Sequence, residues 1–307
     1  MSDEVSFSHK VKEEIISKIN SKSKADACLL GILMTCNEIN EDNILFLTEN
    51  KSVAEFFIKN IQRICRDENA VNELTTSRKN SNILYNLSIS KADCRKSVFN
   101  YFKIDLKSGI ERTILPKKKL YSQLISGIFL SCGSVNNPEK KYHLEFVLPT
   151  LELCNLFGAL IIDNFDILPK QTTRKNHQIV YIKESENIID MLTIMGAVNS
   201  SFDFMNTKIF KDMRNKINRA VNCDNANIEK SLKAAEKQIQ DIELIDNTIG
   251  IDNLPENLQE IAKIRYENPD YTLQELSQAL TPQISRSGAN HRLARIADIA
   301  NDIRNKK

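Results

Sequence analysis

An internal repeat constrains the fold of this 307-residue chain more than any other feature of its sequence. Residues 121–135, YSQLISGIFLSCGSV, resemble residues 25–39, ADACLLGILMTCNEI, and aligning Gly31 with Gly127 sets an offset of 96 residues. At the same offset, residues 78–80 (RKN) fall on residues 174–176 (RKN). Small apolar helices often look alike, but the second match lies in a different kind of segment. The first two thirds of the chain are therefore interpreted as a duplicated unit.

Both copies show the same order of predicted elements, which is helix, strand, helix, hairpin, helix. Helical spacing and strand-like runs place the elements of the first copy at about 24–36, 43–47, 52–65, 71–77, 83–89 and 93–102. Those of the second copy are placed at about 118–132, 142–148, 150–163, 167–173, 178–183 and in a helix running to about 195. Gly31 and Gly127 lie inside the repeated helix and would allow close approach of two helix backbones. We therefore expect one pseudo-symmetric α+β domain with these two helices at its centre.

The pattern becomes purely helical after the duplicated unit. Residues 206–249 contain no Gly or Pro, and they predict a helical connector that is broken near Cys223 to Asn227. Its apolar stripe is predicted at Ala226, Leu232, Ala235, Ile239, Ile242 and Ile245. We expect an N-terminal helix in residues 1–22, the duplicated domain in 23–200 (copies about 23–105 and 117–200), a linker in 201–250 and a helix-turn-helix domain in 251–307.

The last segment predicts three short helices. Pro255 suits the first turn of one helix, residues 272–275 (TLQE) form a capping box for the next, and Ser285 can cap the third. The third helix has a buried stripe at Ala289, Leu293, Ile296, Ala297 and Ala300. Such an arrangement is typical of helix-turn-helix domains that read DNA, although any small three-helix domain exposes polar residues on its last helix.

Candidate DNA contacts follow from the exposed residue types of the third helix. Arginine suits the acceptor pair of guanine, and asparagine suits the donor and acceptor of adenine. We assign these contacts to Arg286, Ser287, Asn290, His291, Arg292 and Arg295. Further candidates lie in the two hairpin turns, where Arg78, Lys79, Arg174 and Lys175 could contact DNA if both hairpins face one groove.

Composition excludes several classes of protein. Seven cysteines form no Cys-x-x-Cys pair, so we expect reduced core residues and a cytoplasmic protein without a metal site. The longest apolar run, residues 27–36, is too short to cross a bilayer, and the N-terminus does not resemble a signal peptide. The net charge of +2 hides basic clusters in residues 170–183 and 208–219, which suit either phosphate contacts or a solvated face. No cofactor is expected.

The glycine-bearing helices resemble the LAGLIDADG helices of homing endonucleases. In those enzymes two such helices pack at a pseudo-twofold axis, and each delivers one acidic residue to a catalytic divalent metal. The resemblance puts that acidic position at Cys36 and Cys132, and neither thiol replaces a hard oxygen ligand for Mg²⁺. Glu38 lies nearby, but its counterpart is Ser134, so the paired carboxylates for phosphodiester cleavage are absent and no catalytic residue is assigned.

The chain as a whole resembles the WhiA family of bacterial sporulation and cell-division regulators. The resemblance covers nearly the whole chain and is carried by residues 6–8 (SFS), 11–14 (VKEE), 127–134 (GIFLSCGS), 137–140 (NPEK), 142–146 (YHLEF), 214–215 (RN), 218–219 (NR), 222–223 (NC), 226–227 (AN), 284–288 (ISRSG) and 290–293 (NHRL). Family members usually have a small residue in place of Cys132. The resemblance implies a degenerate, duplicated LAGLIDADG-like αββαββα domain, a helical linker and a helix-turn-helix similar to region 4 of sigma factors.

The resemblance also implies function. It implies sequence-specific binding of double-stranded DNA by the C-terminal helices, a role in sporulation, cell division or chromosome segregation, and no catalysis. We expect a nucleoid-associated protein whose N-terminal domain has an RNA polymerase sigma factor or another regulator as a candidate partner. Two alternatives stay open, which are a metal-dependent LAGLIDADG-type endonuclease and an interaction scaffold that binds DNA weakly.

Overall fold

The computed structural model describes residues 6–77, 83–106, 115–175 and 177–305. It divides into two compact units, Met1–Asp212 and Met213–Lys307. The first unit begins with α1 (Phe7–Ser17) and continues with α2 (Lys22–Met34), β1 (Glu38–Ile39), β2 (Ile44–Thr48), α3 (Lys51–Cys65), β3 (Asn72–Ser77), β4 (Ile83–Ser88) and α4 (Ala92–Phe102). It then repeats with α5 (Tyr121–Cys132), β5 (Gly133–Val135), β6 (Leu144–Leu148), α6 (Leu151–Phe165), β7 (Lys170–Arg174), β8 (His177–Ile182) and α7 (Ser185–Ile194).

The two copies share one topology, and this confirms the expected duplicated αββαββα domain. Each contributes a four-stranded antiparallel sheet, in the order β1-β2-β4-β3 and β5-β6-β8-β7. The short strands β1 and β5 were absent from the elements predicted from residue pattern. They contain only two and three residues, too few for an alternating pattern to be visible.

Matching helix caps show how the copies correspond. Asn50 and Thr150 begin α3 and α6 by accepting a hydrogen bond from the backbone N–H three residues later. Arg66 and Asp166 end the same helices in the left-handed conformation, with φ of 55° and 54°. These pairs are 100 residues apart, whereas the central glycines are 96 apart. The second copy therefore carries four more residues between its central glycine and the cap of the following helix.

The central helices α2 and α5 touch through their backbones, as Gly31 and Gly127 predict. A Cβ atom on Gly127 would lie 1.8 Å from the carbonyl oxygen of Cys28, and one on Gly31 would lie 2.3 Å from that of Leu124. Each oxygen belongs to the residue three positions before the opposite glycine, so the contact is symmetric. Residues 27–34 of α2 are all buried, as are residues 124–130 of α5.

Helix α1 connects this core to a long helix, α8 (Val198–Thr248). Val11 and Ile15 are buried against the core. The carboxylate of Glu14 accepts hydrogen bonds from the backbone N–H groups of Asn199 and Ser200, at 2.6 and 2.9 Å. A carboxylate at this position satisfies N–H groups that lack a partner within the helix and interacts favourably with the helix dipole.

The predicted break near Cys223 to Asn227 was wrong, because α8 is one continuous helix of 51 residues. Asn and Asp have low helix propensity, but without Gly or Pro they do not interrupt a long helix. The Asn227 amide lies 3.7 Å from the Cys223 sulfur one turn earlier, a contact along the helix itself. The predicted stripe was also wrong in part, since Ala226 and Leu232 are exposed while Ala235, Ile242 and Ile245 are buried.

The second unit contains the expected three helices, α9 (Glu256–Glu267), α10 (Leu273–Ala279) and α11 (Arg286–Asn305). The predicted capping box is present, because the Thr272 side chain accepts from Glu275 N–H and the Glu275 carboxylate accepts from Thr272 N–H. Ala289, Leu293, Ile296 and Ala300 are buried as predicted, and they share a core with Ile242 and Ile245 of α8, whereas Ala297 of the predicted stripe is only partly buried.

All seven cysteines are free, and Cys28, Cys36, Cys94 and Cys154 are buried. Cys223 is exposed on α8, so the expectation of core cysteines holds for the duplicated unit and not for the long helix. Across the described segments, every helix is too short or too polar to pass through a membrane.

We expect Gly127→Ala to destabilise the first unit by at least about 3 kcal/mol, because the added Cβ overlaps a backbone oxygen that cannot rotate away. Urea unfolding followed by circular dichroism measures the change. Gly288→Ala is the matched control, since its nearest atom, the Ser285 hydroxyl oxygen, lies at 3.4 Å. The control should change stability by no more than about 1 kcal/mol. A Gly127→Ala variant as stable as the parent would contradict the backbone contact.

Candidate nucleic-acid interface

Local hydrogen bonds fix where α11 begins. The Ser285 side chain accepts from the Gly288 N–H at 3.1 Å, and the Ser285 carbonyl accepts from the Ala289 N–H at 3.0 Å. The chain before it is held by a hydrogen bond from Ile284 N–H to the Ser277 carbonyl at 3.1 Å. The start of α11 is therefore set against the end of α10, as a helix-turn-helix requires.

Five of the six candidate residues on α11 are exposed, namely Arg286, Ser287, Asn290, His291 and Arg295, and Arg292 is partly buried. At 3.6 residues per turn, Ser287 and His291 lie opposite the buried stripe. Arg292 and Arg295 lie on one flank of that exposed face. No acidic residue occurs from residue 286 to residue 297, so this part of α11 presents only neutral and positive side chains.

Arg286 and Asn290 lie on the other flank, where they line a cavity together with residues of α8. The same cavity is lined by Arg265 of α9, which is only 2% exposed. Sequence reasoning missed Arg265, because it follows Ile264 in an apolar helix stripe and resembles an ordinary surface residue. Its burial becomes visible only once α8 is packed against α9 and α11.

The hairpin candidates are only partly described. Arg78 and Lys79 lie outside the described residues. Arg174 is exposed at the end of β7, and its guanidinium lies 3.4 Å from a carboxylate oxygen of Glu145. Glu145 also pairs with the His143 ring at 3.0 Å. Lys175 is exposed and has a φ of 48°, in the left-handed region.

Other cations of the basic clusters have partners within the first unit. Lys208 pairs with Glu186, and Lys170 pairs with Glu184 at 3.1 Å. Lys211 donates to the carbonyls of Pro138 and Lys140 at 3.1 and 2.8 Å and lies over the Tyr142 ring. The Lys211 contacts hold the loop between β5 and β6, and the two ion pairs reduce the positive charge available for phosphate.

The ends of the central helices carry thiols where the LAGLIDADG resemblance places acids. The Cys36 thiol donates to the Leu33 and Glu38 carbonyls, both at 3.2 Å, and the Cys132 thiol donates to the Ile128 carbonyl at 3.3 Å. Burial raises the pKa of both thiols to about 12. Both thiols therefore stay protonated near neutral pH. A protonated thiol neither ligates a hard cation nor acts as a nucleophile.

An ammonium group lies at the same place. The side chain of Lys12 reaches from α1 to the end of α5, where Nζ donates to the Leu130 carbonyl at 3.1 Å and lies 5.7 Å from the centroid of the Phe129 ring. Burial lowers its pKa to about 8, against smaller opposing effects of Cys132 and Glu49. Across the bundle, the Ser131 hydroxyl donates to the Thr35 carbonyl at 3.1 Å. Polar groups at these helix ends are thus satisfied by the chain itself.

The described segments contain no group of three or more His, Cys, Asp or Glu side chains arranged to hold a metal ion. What the structure offers instead is a neutral-to-basic helix face in the second unit. Side chains of this type hydrogen-bond to base edges and phosphates.

Two family models match this chain. Residues 121–214 match the WhiA LAGLIDADG-like domain, and residues 217–300 match the WhiA C-terminal HTH domain. The chain is 36% identical over 318 aligned residues to the probable cell division protein WhiA of Thermoanaerobacter pseudethanolicus, covering 99% of both chains. It is 34% identical to the protein of the same name in Clostridium botulinum, covering 98% of this chain and 99% of the relative.

A solved structure shares the fold. The crystal structure of full-length DUF199/WhiA from Thermotoga maritima aligns with a TM-score of 0.59 at 23% identity, covering 97% of this chain and 99% of that chain. The alignment extends over both units.

We expect Lys12→Met to raise the free energy of unfolding at neutral pH by about 1–3 kcal/mol, because it keeps the packing on Phe129 and removes a buried charge. The folded-state pKa of about 8 lies below the ordinary 10.5, so between these values the unfolded chain binds more protons and the parent gains stability as pH rises. The advantage of the variant should therefore shrink over that range in urea titrations.

The control for this experiment is Lys10→Met, which removes an exposed charge from the same helix. It should leave stability nearly unchanged at every pH. A Lys12→Met protein less stable than the parent at neutral pH would show that the hydrogen bond to Leu130 outweighs the cost of burying the ammonium.

Proposed function

This chain belongs to the WhiA family, and from that premise we propose that it is a sequence-specific DNA-binding transcriptional regulator. Its helix-turn-helix domain binds the DNA, and the process that it regulates is cell division, chromosome segregation or sporulation. The relatives are named as probable cell division proteins, which supports the first of these processes. A protein with this role would associate with the nucleoid.

The exposed face of α11 is the observation that carries the proposal. Ser287 and His291 stand opposite the buried stripe, Arg295 flanks them, and no acid interrupts the face before Asp298. A helix of this composition fits the major groove, in which arginine recognises guanine and the hydroxyl of serine contacts a base or a phosphate. Arg286, Asn290 and Arg292 extend the proposed contacts to both flanks.

The proposed role of the duplicated unit is support and recruitment rather than cleavage. The acids expected of a LAGLIDADG nuclease are replaced by Cys36 and Cys132, whose thiols stay protonated, and a lysine ammonium lies beside the end of α5. Two-metal phosphodiester cleavage needs oxygen ligands on both sides of the axis. We assign no nuclease activity, and a sigma factor or another regulator remains the candidate partner of this unit.

The DNA-binding assignment is tested with His291→Ala combined with Arg295→Ala, on duplexes enriched from a random library by the full-length parent. Loss of both contacts should weaken binding to the enriched sequence at least about tenfold, with a smaller effect on random duplex. The reason is that contacts to base edges determine sequence specificity, whereas contacts to phosphates position the protein on any duplex. Binding is measured by a gel-shift assay at several fixed salt concentrations.

Lys263→Ala is the control, since it also removes one positive charge but lies on α9. It should bind the enriched duplex within about twofold of the parent, because its surface ion pair with Asp252 contributes little to stability. Equal affinity of the double variant and the parent for the enriched duplex would refute the proposed interface.

The absence of nuclease activity is tested separately with supercoiled plasmid, incubated with the full-length protein and Mg²⁺ or Mn²⁺. We expect the plasmid to remain uncut, because the helix ends present thiols and an ammonium rather than paired carboxylates. Cleavage that disappears in Glu38→Ala would establish the endonuclease alternative.

A further inference from the structure

A cavity of about 520 Å³ lies within the second unit, between α8 and the first turns of α11. Cavities of this size accommodate small ligands or parts of larger ones. Its walls come from four helices, with Lys230 and Gln238 on α8, Arg265 on α9, Leu273 on α10, and Arg286 and Asn290 on α11.

The cavity is strongly biased towards anions. Three cationic side chains line it, those of Lys230, Arg265 and Arg286, and the lining residues include no Asp or Glu. Cationic side chains that share a concave surface raise the local concentration of negatively charged ligands. Burial on the protein side leaves less water to screen the interaction.

Arg265 shows that this charge is not neutralised inside the protein. Its Nη1 donates to the neutral carbonyls of Pro269 and Tyr271, at 3.3 and 2.7 Å, while its buried Nε has no hydrogen-bond partner. Among the described residues no carboxylate forms an ion pair with it. Burial lowers the pKa of Arg265, as expected for a guanidinium without an anionic neighbour. Burying a guanidinium that has no anionic partner reduces the free energy of unfolding, and a bound anion would offset that cost.

The cavity also contains neutral groups that can hydrogen-bond to a ligand. The side-chain oxygen of Gln238 is buried without a hydrogen-bond partner, and Asn290 presents an exposed amide at the rim. A planar guanidinium binds two oxygens of one tetrahedral anion, and a phosphate also offers oxygens to an ammonium and an amide. A ligand hydroxyl next to the phosphate would satisfy Gln238.

We infer that this cavity binds a phosphate group, held by Arg265 and Arg286 with Lys230 at its edge. The phosphate is carried either by a small phosphorylated molecule or by the backbone of a nucleic acid. If α11 reads DNA as proposed above, a small phosphorylated ligand competes with duplex for Arg286 and Asn290. That competition rests on the proposed function, whereas binding of the phosphate does not.

The test is a calorimetric titration of the full-length protein with pyrophosphate at constant ionic strength, without DNA, for the parent and Lys230→Gln. Lys230 is exposed on α8, so its replacement leaves the fold intact. Losing one charged contact should weaken pyrophosphate binding about tenfold. Lys263→Gln removes an equal charge outside the cavity and should bind pyrophosphate within about twofold of the parent.

A second titration uses a duplex of random sequence in phosphate-free buffer and separates the two sources. Saturable pyrophosphate binding that is weakened by Lys230→Gln, with duplex affinity unchanged, indicates a small phosphorylated ligand. Absence of pyrophosphate binding, with duplex affinity lowered by Lys230→Gln but not by Lys263→Gln, indicates a backbone phosphate. If Lys230→Gln alters neither titration, the cavity does not bind phosphate. Pyrophosphate binding in a protein that fails to bind the enriched duplex would disprove the proposed function and leave this inference standing.

Discussion

The contact between the backbones of α2 and α5 is the constraint on which the first unit depends. Because neither Gly31 nor Gly127 has a Cβ, each helix lies against a carbonyl oxygen of the other. That closeness buries residues 27–34 of α2 and 124–130 of α5, and each of these helices precedes the four-stranded sheet of its own copy. It also brings the Cys36 and Cys132 ends of the two helices together, so whatever residues occupy those ends share one environment.

In the second unit the corresponding constraint is the packing of α8 against the three small helices. Ile242 and Ile245 belong to the same core as Leu293 of α11, and Asp241, which is buried, lies 2.7 Å from Arg304. Gly250, with a φ of 84°, turns the chain without dividing this core. The orientation of the proposed DNA-reading helix therefore depends on α8, and the cavity lined by Arg265 and Arg286 is a product of the same packing.

How much the sequence could predict differed between local and long-range features. The capping box at Thr272, the buried stripe of α11 and the glycine contact were predictable, because each depends on residue types at fixed spacing. The continuity of α8 was not, since the low helix propensities of the Asp and two Asn residues in 223–227 are weak beside the cooperativity of a long helix. The burial of Arg265 and the contacts of Lys12 were not predicted, for another reason. The cavity at Arg265 is formed with residues of α8 and α11 that lie 21 to 38 positions away, and Lys12 contacts Leu130, 118 positions away, so no local pattern encodes either environment.

Lys12 gives the duplicated unit a property that its resemblance to metal-dependent enzymes would not suggest. Its ammonium supplies positive charge at the end of the paired helices from within the polypeptide and donates a hydrogen bond to the Leu130 carbonyl. A bound ion exchanges with the medium, but a side chain of α1 cannot diffuse away. Because burial lowers the pKa of this ammonium to about 8, the positive charge at this end of the scaffold decreases as the pH rises above that value.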